Sequence, residues 1–111
     1  MSVVIVKDNV QEVLEALAKA KVRGLNAIGA AGEKNAKKKI TENHSVVTGR
    51  LRNSISHTED GDNAYIGTNV EYAPYVELGT SKQKAKPYLR PAATEHDDEY
   101  RALMEASLKN A

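Results

Sequence analysis

Apolar and small residues recur every three or four positions from Val10 to Ala31, which places them on one face of an α-helix. Asp8, followed three residues later by Gln11, is a suitable N-cap and capping-box pair. The pattern therefore predicts a long N-terminal helix from Asp8 to about Lys39. Before this helix, the β-branched run within residues 2–6 predicts a short edge strand.

Three glycines lie within the predicted helix, at positions 24, 29 and 32. Each costs about 1 kcal/mol relative to Ala in a helix interior. Gly24 belongs to a stripe of small residues that also contains Ala20, Ala27 and Ala31. Two interpretations therefore remain open: the helix is kinked at the glycines, or the small residues allow another element to approach its backbone closely.

The middle of the chain predicts an antiparallel β-hairpin. Residues 51–58 and 64–70 alternate between apolar and polar side chains, as strands with one buried face do. Residues 59–63 contain an Asp-Gly pair, which favours a tight hairpin turn. We expect a loop over residues 41–47 to separate this hairpin from the long helix.

The last third of the chain predicts a short helix or turn, a loop and a final helix. Residues 72–78 surround Pro74 and are ended by Gly79, whereas residues 81–86 are polar and Lys-rich, as mobile loops are. Pro91 suits the first turn of a helix that continues to about Leu108. Residues 1–111 are therefore expected to form a single α+β domain. In this domain a small antiparallel sheet with a central hairpin is packed by the long N-terminal helix and the C-terminal helix.

The composition restricts the kind of core and the kind of site. The chain has no Phe or Trp and five Tyr, so its core must be mainly aliphatic. Because there is no Cys, disulfide bonds and thiolate zinc sites are excluded. The longest apolar run, residues 3–6, is too short for a membrane span or a signal sequence. We expect a protein that is made in the cytoplasm and contacts no membrane.

Charge divides the chain into two halves of opposite sign. Residues 1–52 contain ten Lys or Arg and five acidic residues, whereas residues 53–111 contain six and ten. Charged side chains that only face the solvent explain this difference in charge without any partner. Alternatively, a positive surface of one copy contacts a negative surface of the next copy in a head-to-tail ring. The residues expected at that interface are Lys37, Lys38, Lys39, Asp97, Asp98 and Glu99.

Residues that could support catalysis or bind a metal are few. His44, His57 and His96 are far apart in the sequence and lack a helical partner of the zinc-protease type. The acidic residues that surround His96 fall in the first turns of a predicted helix, where carboxylates stabilise the positive end of the dipole without a metal. The chain also lacks a nucleophile elbow and a phosphate-binding loop. We expect no enzyme activity, no metal and no cofactor.

A DNA-contacting accessory module is the alternative function. The basic segment 34–52, which includes Lys34, Lys37, Arg50 and Arg52, could contact phosphates through charge alone. It lacks the interleaved aromatic residues on which bases stack. Salt-dependent DNA binding would distinguish this module from a structural protein.

Three blocks of the sequence resemble a family of bacteriophage head-tail joining and tail-completion proteins. They occur in the family's order and are separated by the hairpin and by the Lys-rich loop. The family usually has an acidic residue just before the Thr-Gly pair of the first block, where this chain has Val46 and Val47. The blocks are residues 47–55 (VTGRLRNSI), 67–80 (GTNVEYAPYVELGT) and 86–92 (KPYLRPA).

The resemblance implies a structural protein of the virion neck or upper tail, from a phage or a prophage. It implies a ring of about six identical copies that contacts the head connector and the tail tube or tail terminator. It implies no cofactor. A weak contact with DNA, through the basic segment 34–52, is the alternative that the residues themselves leave open. The residues that match the family's motifs are Thr48, Gly49, Arg50, Leu51, Tyr72, Pro74, Tyr75, Glu77, Gly79, Thr80, Pro87, Arg90 and Pro91.

Several of these residues can be given a physical role. Gly49 is expected to take positive φ in a turn that begins the first hairpin strand. Tyr72, Tyr75 and Tyr88 each combine an apolar ring with a polar tip, and a core position is favoured over an interface for each. Glu77 is expected to pair with Arg50 or Arg90. Residues 81–86 are the candidate segment that becomes ordered on docking, with an ordinary solvent loop as the equal alternative.

Overall fold

One helix of 33 residues, α1 (Val10–Glu42), is the longest element of the computed structural model, which describes residues 10–43 and 48–111. At a rise of 1.5 Å per residue it is about 50 Å long. It continues as one helix through all three glycines, so they do not divide it into two. The expected strand over residues 2–6, the N-cap at Asp8 and most of the loop over residues 41–47 lie outside the described residues. Residues 41 and 42 of that loop belong to α1.

Shorter helices and one hairpin follow α1, and the fold is α+β as predicted. The hairpin strands are antiparallel, with Ser56 opposite Gly67 and Glu59 opposite Ala64. Its turn includes Gly61, which has a φ of 93°. The elements after α1 are α2 (Thr48–Ser54), β1 (Ser56–Glu59), β2 (Ala64–Gly67), α3 (Ala73–Leu78), α4 (Leu89–Thr94) and α5 (Asp97–Lys109).

The helix α2 replaces the first half of the expected strand over residues 51–58. Leu51 and Ile55 are 0% and 3% exposed, and their spacing of four residues brings both to one side of a helical turn. A strand would also have directed Asn53 inward, yet Asn53 is exposed. The second strand is likewise shorter than expected, because β2 ends at Gly67 and not at residue 70.

Gly49 lies in α2 and does not take the positive φ that was expected of it. Among the described glycines, positive φ occurs at Gly61 and Gly79. A Cβ added to Gly49 would meet no heavy atom within 4 Å. Its role in the family motif is therefore not explained by backbone conformation.

Gly49→Ala is expected to raise the free energy of unfolding by about 0.5–1 kcal/mol, because Ala favours the helix and restricts the unfolded chain. Urea unfolding measures this change. Gly61→Ala is the matched control, since its Cβ would also meet nothing within 4 Å but its φ is +93°. That control is expected to lose about 1 kcal/mol. A loss of stability in Gly49→Ala would contradict the helical conformation of this segment.

The expected last helix, from Pro91 to about Leu108, is divided into α4 and α5. His96 has a φ of −129° and a ψ of 33°, which interrupts the helix. The carbonyl oxygen of Ala92, which would bond to the amide of residue 96 in a continuous helix, instead accepts a hydrogen bond from the hydroxyl of Tyr100. Asp97, Asp98 and Glu99 then occupy the first turn of α5, where acids favour a new helix start.

The buried core lies at the C-terminal end of α1 and is aliphatic except for one tyrosine. Its largest fully buried side chains are Tyr88, Ile40 and Leu51. Tyr88 lies at the N-terminal boundary of α4, Ile40 in α1 and Leu51 in α2. The core therefore joins elements that are distant in the sequence. The core residues are Ala36, Ile40, Leu51, Ile55, Val70, Ala73, Tyr88 and Ala92.

The glycines of α1 are points of close approach by other elements. A Cβ on Gly24 would lie 2.6 Å from Sδ of Met104 in α5, and one on Gly29 would lie 2.8 Å from Cδ2 of His57 in β1. At Gly32 the nearest atom, 3.1 Å away, is Cγ2 of Ile66 in β2. The glycines thus allow α5 and the hairpin to pack against the backbone of α1.

Candidate functional site

The second motif block forms α3 and the turn that ends it. Pro74 lies in the first turn of α3, where its missing N–H costs no hydrogen bond. Gly79 ends the helix with a φ of 80°, and its amide donates to the carbonyl of Tyr75 at 2.9 Å. A Cβ at this position would lie 2.7 Å from the backbone nitrogen of Ala85, so the backbone conformation and the packing both require glycine.

Thr80 organises the beginning of the Lys-rich loop. Its Oγ1 accepts hydrogen bonds from the amides of Lys82 and Gln83, at 3.2 and 3.0 Å. The amide of Lys86 closes the loop by donating to the carbonyl of Val76 at 2.8 Å. The start of the loop is therefore held by its own hydrogen bonds, and its end is bonded to α3. The mobility of residues 81–86 remains a prediction.

Glu77 joins the second motif block to the third. Its Oε2 accepts hydrogen bonds from the amides of Tyr88 (2.7 Å) and Leu89 (3.1 Å), and its Oε1 accepts one from the amide of Arg90 (2.9 Å). These amides begin α4 and have no partner within that helix. A carboxylate at this position satisfies them and stabilises the positive end of the helix. Glu77 is therefore a cap of α4 that comes from α3.

The expected ion pairs of Glu77 are wrong. Among the described residues, Glu77 forms no ion pair with Arg50 or Arg90. Arg50 lies 3.6 Å from Glu71, and its guanidinium carbon lies 5.4 Å from the centre of the Tyr72 ring. Arg50 thus connects α2 to the segment before α3 at the surface. Its partners could not be chosen from the sequence, because several acids and aromatic rings follow it at similar spacing.

The three tyrosines that lie within the blocks, Tyr72, Tyr75 and Tyr88, have different environments. Tyr88 is fully buried, its hydroxyl donates to the carbonyl of Ala73 at 3.3 Å, and burial raises its pKa to about 12. Tyr72 is half-buried against the core. Tyr75 is 60% exposed, so the expected core position is wrong for this residue. Leu78, one helical turn later, is 78% exposed.

The first motif block is anchored by one buried side chain. Leu51 lies in the core, whereas Gly49 and Arg50 are exposed. Nη1 of Arg52 donates to Oγ1 of Thr41 at 3.2 Å, which fixes α2 to the end of α1. Thr48 begins α2. This block therefore closes the end of the core near Ile40.

Within one subunit, the basic residues that were expected to contact another copy lie next to the residues just before the acidic segment. Lys38 and Lys39 line a cleft of about 140 Å³ together with Glu95 and His96. Three of the six candidate residues also have partners on their own helices, since Lys37 lies 3.2 Å from Glu33, Lys39 lies 4.0 Å from Glu42 and Asp98 lies 4.0 Å from Arg101. Among the described residues no ion pair joins the two segments to each other, and their contact between copies stays a prediction.

The described histidines have structural surroundings. His57 lies against Gly29, with its Nδ1 3.3 Å from Oε1 of Glu33. Partial burial acts to raise the pKa of Glu33, but hydrogen bonds from His57 and Lys37 leave it below its ordinary value. His96 lies 3.6 Å from Glu99. His44 is outside the described residues, and the described part of the chain contains no group of three metal-ligating side chains.

Large apolar side chains are exposed in the first turns of α1. Val13, Leu14 and Leu17 are 46%, 54% and 42% exposed, and Val10 is 59% exposed. A separate apolar cleft of about 120 Å³ lies between α1, β2 and α4. Apolar surface of this kind marks a contact with another molecule when several residues adjoin. No helix within residues 10–43 and 48–111 has the length and hydropathy needed to cross a membrane.

Comparison with known proteins identifies a family. The model of a family described as "Bacteriophage HK97-gp10, putative tail-component" matches residues 6–79 of the chain. The matched range contains the whole first block and the second block up to Gly79, the glycine that terminates α3. Thr80 and the third block lie beyond it. No curated protein and no solved structure matches the chain.

Proposed function

The chain belongs to the HK97-gp10-like family of bacteriophage tail components, and on this basis we propose that it completes the phage tail or joins it to the head. In this role residues 1–111 act as one non-enzymatic domain of the virion neck or upper tail, without a cofactor. The match over residues 6–79 is the observation that carries the proposal. The motif residues support the proposal because they hold the fold together. Leu51 is buried in the core, Gly79 ends α3 and Glu77 caps the start of α4.

The protein works by presenting surfaces, as a ring of about six identical subunits. One surface contacts neighbouring copies, and the others contact the head connector and the tail tube or tail terminator. The loop 81–86 is the segment proposed to order on docking, since its ends are fixed while its lysines are exposed. Tyr75 and Leu78 are exposed next to this loop and add apolar area to the same surface.

Charge contributes orientation to the contact between copies. The residues proposed to lie at its edge are Lys37–Lys39 of one copy and Asp97–Glu99 of another. Exposed ion pairs contribute only about 0–1 kcal/mol each. They leave a dilute subunit monomeric, so stable closure of the ring needs the surface of the tail or the connector as a template.

We expect a mainly monomeric protein at micromolar concentration, with association that grows with concentration and weakens as salt rises, because salt reduces the reach of exposed charges to about 8 Å at physiological strength. Sedimentation across a salt series measures this. Changing Lys37, Lys38 and Lys39 to Glu is expected to reduce head-tail joining. Changing Asp97, Asp98 and Glu99 to Lys in the same protein is expected to restore part of it. Association that strengthens with salt, or a double reversal no better than either single reversal, would contradict the charged contact.

In vitro complementation tests the proposed function. Extracts of host cells infected with the phage that encodes this chain, but with its gene deleted, should yield infectious particles only after the purified protein is added. Heat-denatured protein is the control. Infectious particles in the extract without the protein would contradict a role in tail completion or head-tail joining.

A further inference from the structure

Residues 11–19 of α1 extend beyond the described elements that pack on this helix. We call them the arm. The helix α5 runs along α1 in the opposite direction, from the hydrogen bond between Asn35 and the Tyr100 hydroxyl (3.1 Å) to the one between Ser107 and the carbonyl of Ala20 (2.6 Å). It ends at Lys109. The described chain therefore supplies no second helix to cover the arm.

The arm has one apolar face and one polar face. Val13, Leu14 and Leu17 follow the spacing of helices that dock in apolar grooves. Glu12 and Glu15 lie on the opposite face and are exposed. Helices that lie on membranes have polar faces rich in Lys and Arg. The acidic face of the arm thus favours a protein partner over a lipid surface.

The apolar cleft between α1, β2 and α4 has the size of one side chain of the arm. Its volume is about 120 Å³, and Gly29 and Gly32 form part of its wall. An apolar cavity of roughly 150 Å³ accepts benzene. The four-carbon side chain of one Leu is smaller than benzene and fits here. Tyr65 and Ala93 line the cleft and are exposed.

The arm cannot reach the cleft of its own subunit. Gly29 lies twelve residues after Leu17 on the same uninterrupted helix, a separation of about 18 Å along a rigid rod. Each copy therefore carries an apolar ridge and an apolar cleft that cannot meet each other within the subunit. Two different surfaces of this kind generate a head-to-tail contact, which closes into a ring when the rotation between copies permits.

We propose that the arm of one copy docks in the cleft of the next copy, with Leu14 entering it. This inference rests on the proposed ring and identifies the surfaces that form it. The arm exposes on the order of 300 Å² of apolar surface, under half of the roughly 800 Å² per partner that a stable complex buries. A lone partner held by this area would dissociate. In a ring each copy is held at two places, so the small area favours a second copy as the occupant.

Disulfide trapping tests this contact. Because the chain has no Cys, every disulfide bond must form between cysteines that are introduced by substitution. The variants Leu14→Cys and Ala93→Cys, mixed under mild oxidation, are expected to form a heterodimer at least tenfold faster than either forms a homodimer. The double variant is expected to form a ladder of multimers. The control pair is Glu15→Cys with Ala93→Cys, because residue 15 lies on the polar face of the arm. Cross-linking no faster than in this control would overturn the proposal, and so would dominant homodimers of Leu14→Cys, which would indicate an arm-to-arm contact.

Complementation separates this proposal from the proposed function. The single variants Leu14→Lys and Ala93→Glu are each expected to fold with the unfolding midpoint of the wild type. In complementation, each is expected to restore at least tenfold fewer infectious particles than the wild type does. Ala102→Glu, an exposed position on α5, is the control and is expected to restore them fully. Full restoration by Leu14→Lys and Ala93→Glu would refute the arm contact while the function stands. Failure of the wild type itself would refute the function.

Discussion

Glu77→Ala is expected to lower the free energy of unfolding by about 3 kcal/mol, because it removes a charged cap from three backbone amides. Those amides begin α4 and would lose their partner at a half-buried position. Glu77→Gln keeps one acceptor oxygen without the charge and is expected to lose roughly half as much. Urea unfolding of the three proteins measures the effect.

The matched control for Glu77 is Glu71→Ala. Glu71 has a side-chain exposure of 79% and forms a surface ion pair with Arg50. Such pairs contribute about 0–1 kcal/mol, so this variant is expected to stay close to the wild type. Equal losses in the two variants would show that the carboxylate of Glu77 is not the cap that joins α3 to α4. The family motif would then need another explanation for an acid at this position.

Leu51→Ala is expected to cost about 3 kcal/mol, within the 2–5 kcal/mol range of buried Leu truncations. Leu51 of α2 is fully buried in the core, with Ile40 at the end of α1 and Tyr88 at the start of α4, so its truncation leaves a cavity there. Leu78→Ala is the control, because Leu78 is 78% exposed. It is expected to change stability by less than about 0.5 kcal/mol. A small effect of Leu51→Ala would contradict the assignment of this motif residue to the core.

Local patterns were sufficient to predict the long helix and the hairpin. The three- and four-residue spacing of apolar residues identified α1, and the Asp-Gly pair identified the turn between β1 and β2. The segment around Leu51 and Ile55 was misassigned because two apolar residues four apart satisfy both a helical and an alternating pattern. The exposure of Asn53 distinguishes them, and exposure depends on packing that the sequence does not display.

Contacts between distant residues could not be predicted. The sequence indicated that Glu77 has a partner, but its partners are backbone amides eleven to thirteen residues later, and any residue type supplies an amide. The break at His96 was also missed, because the apolar pattern of α4 and α5 continues across it. The acids at residues 97–99 were a signal of a new helix start that could have located it.

The candidate site, too, could be predicted from the sequence only in part. The motif residues were identified by resemblance, and packing then divided them into core positions such as Leu51 and exposed positions such as Tyr75. The arm was not identified as a surface, since Val13, Leu14 and Leu17 continue the apolar pattern of a helix that is buried further along. Only the end of α5 at Lys109 shows where that burial stops.

Electron microscopy of particles made without this protein tests the central claim most directly. The phage that encodes the chain, with its gene deleted, is expected to produce full heads and separate free tails in the same lysate. Restoring the gene is expected to restore joined particles. Complete virions in the deletion lysate, or heads that are never filled with DNA, would contradict a role at the junction between head and tail.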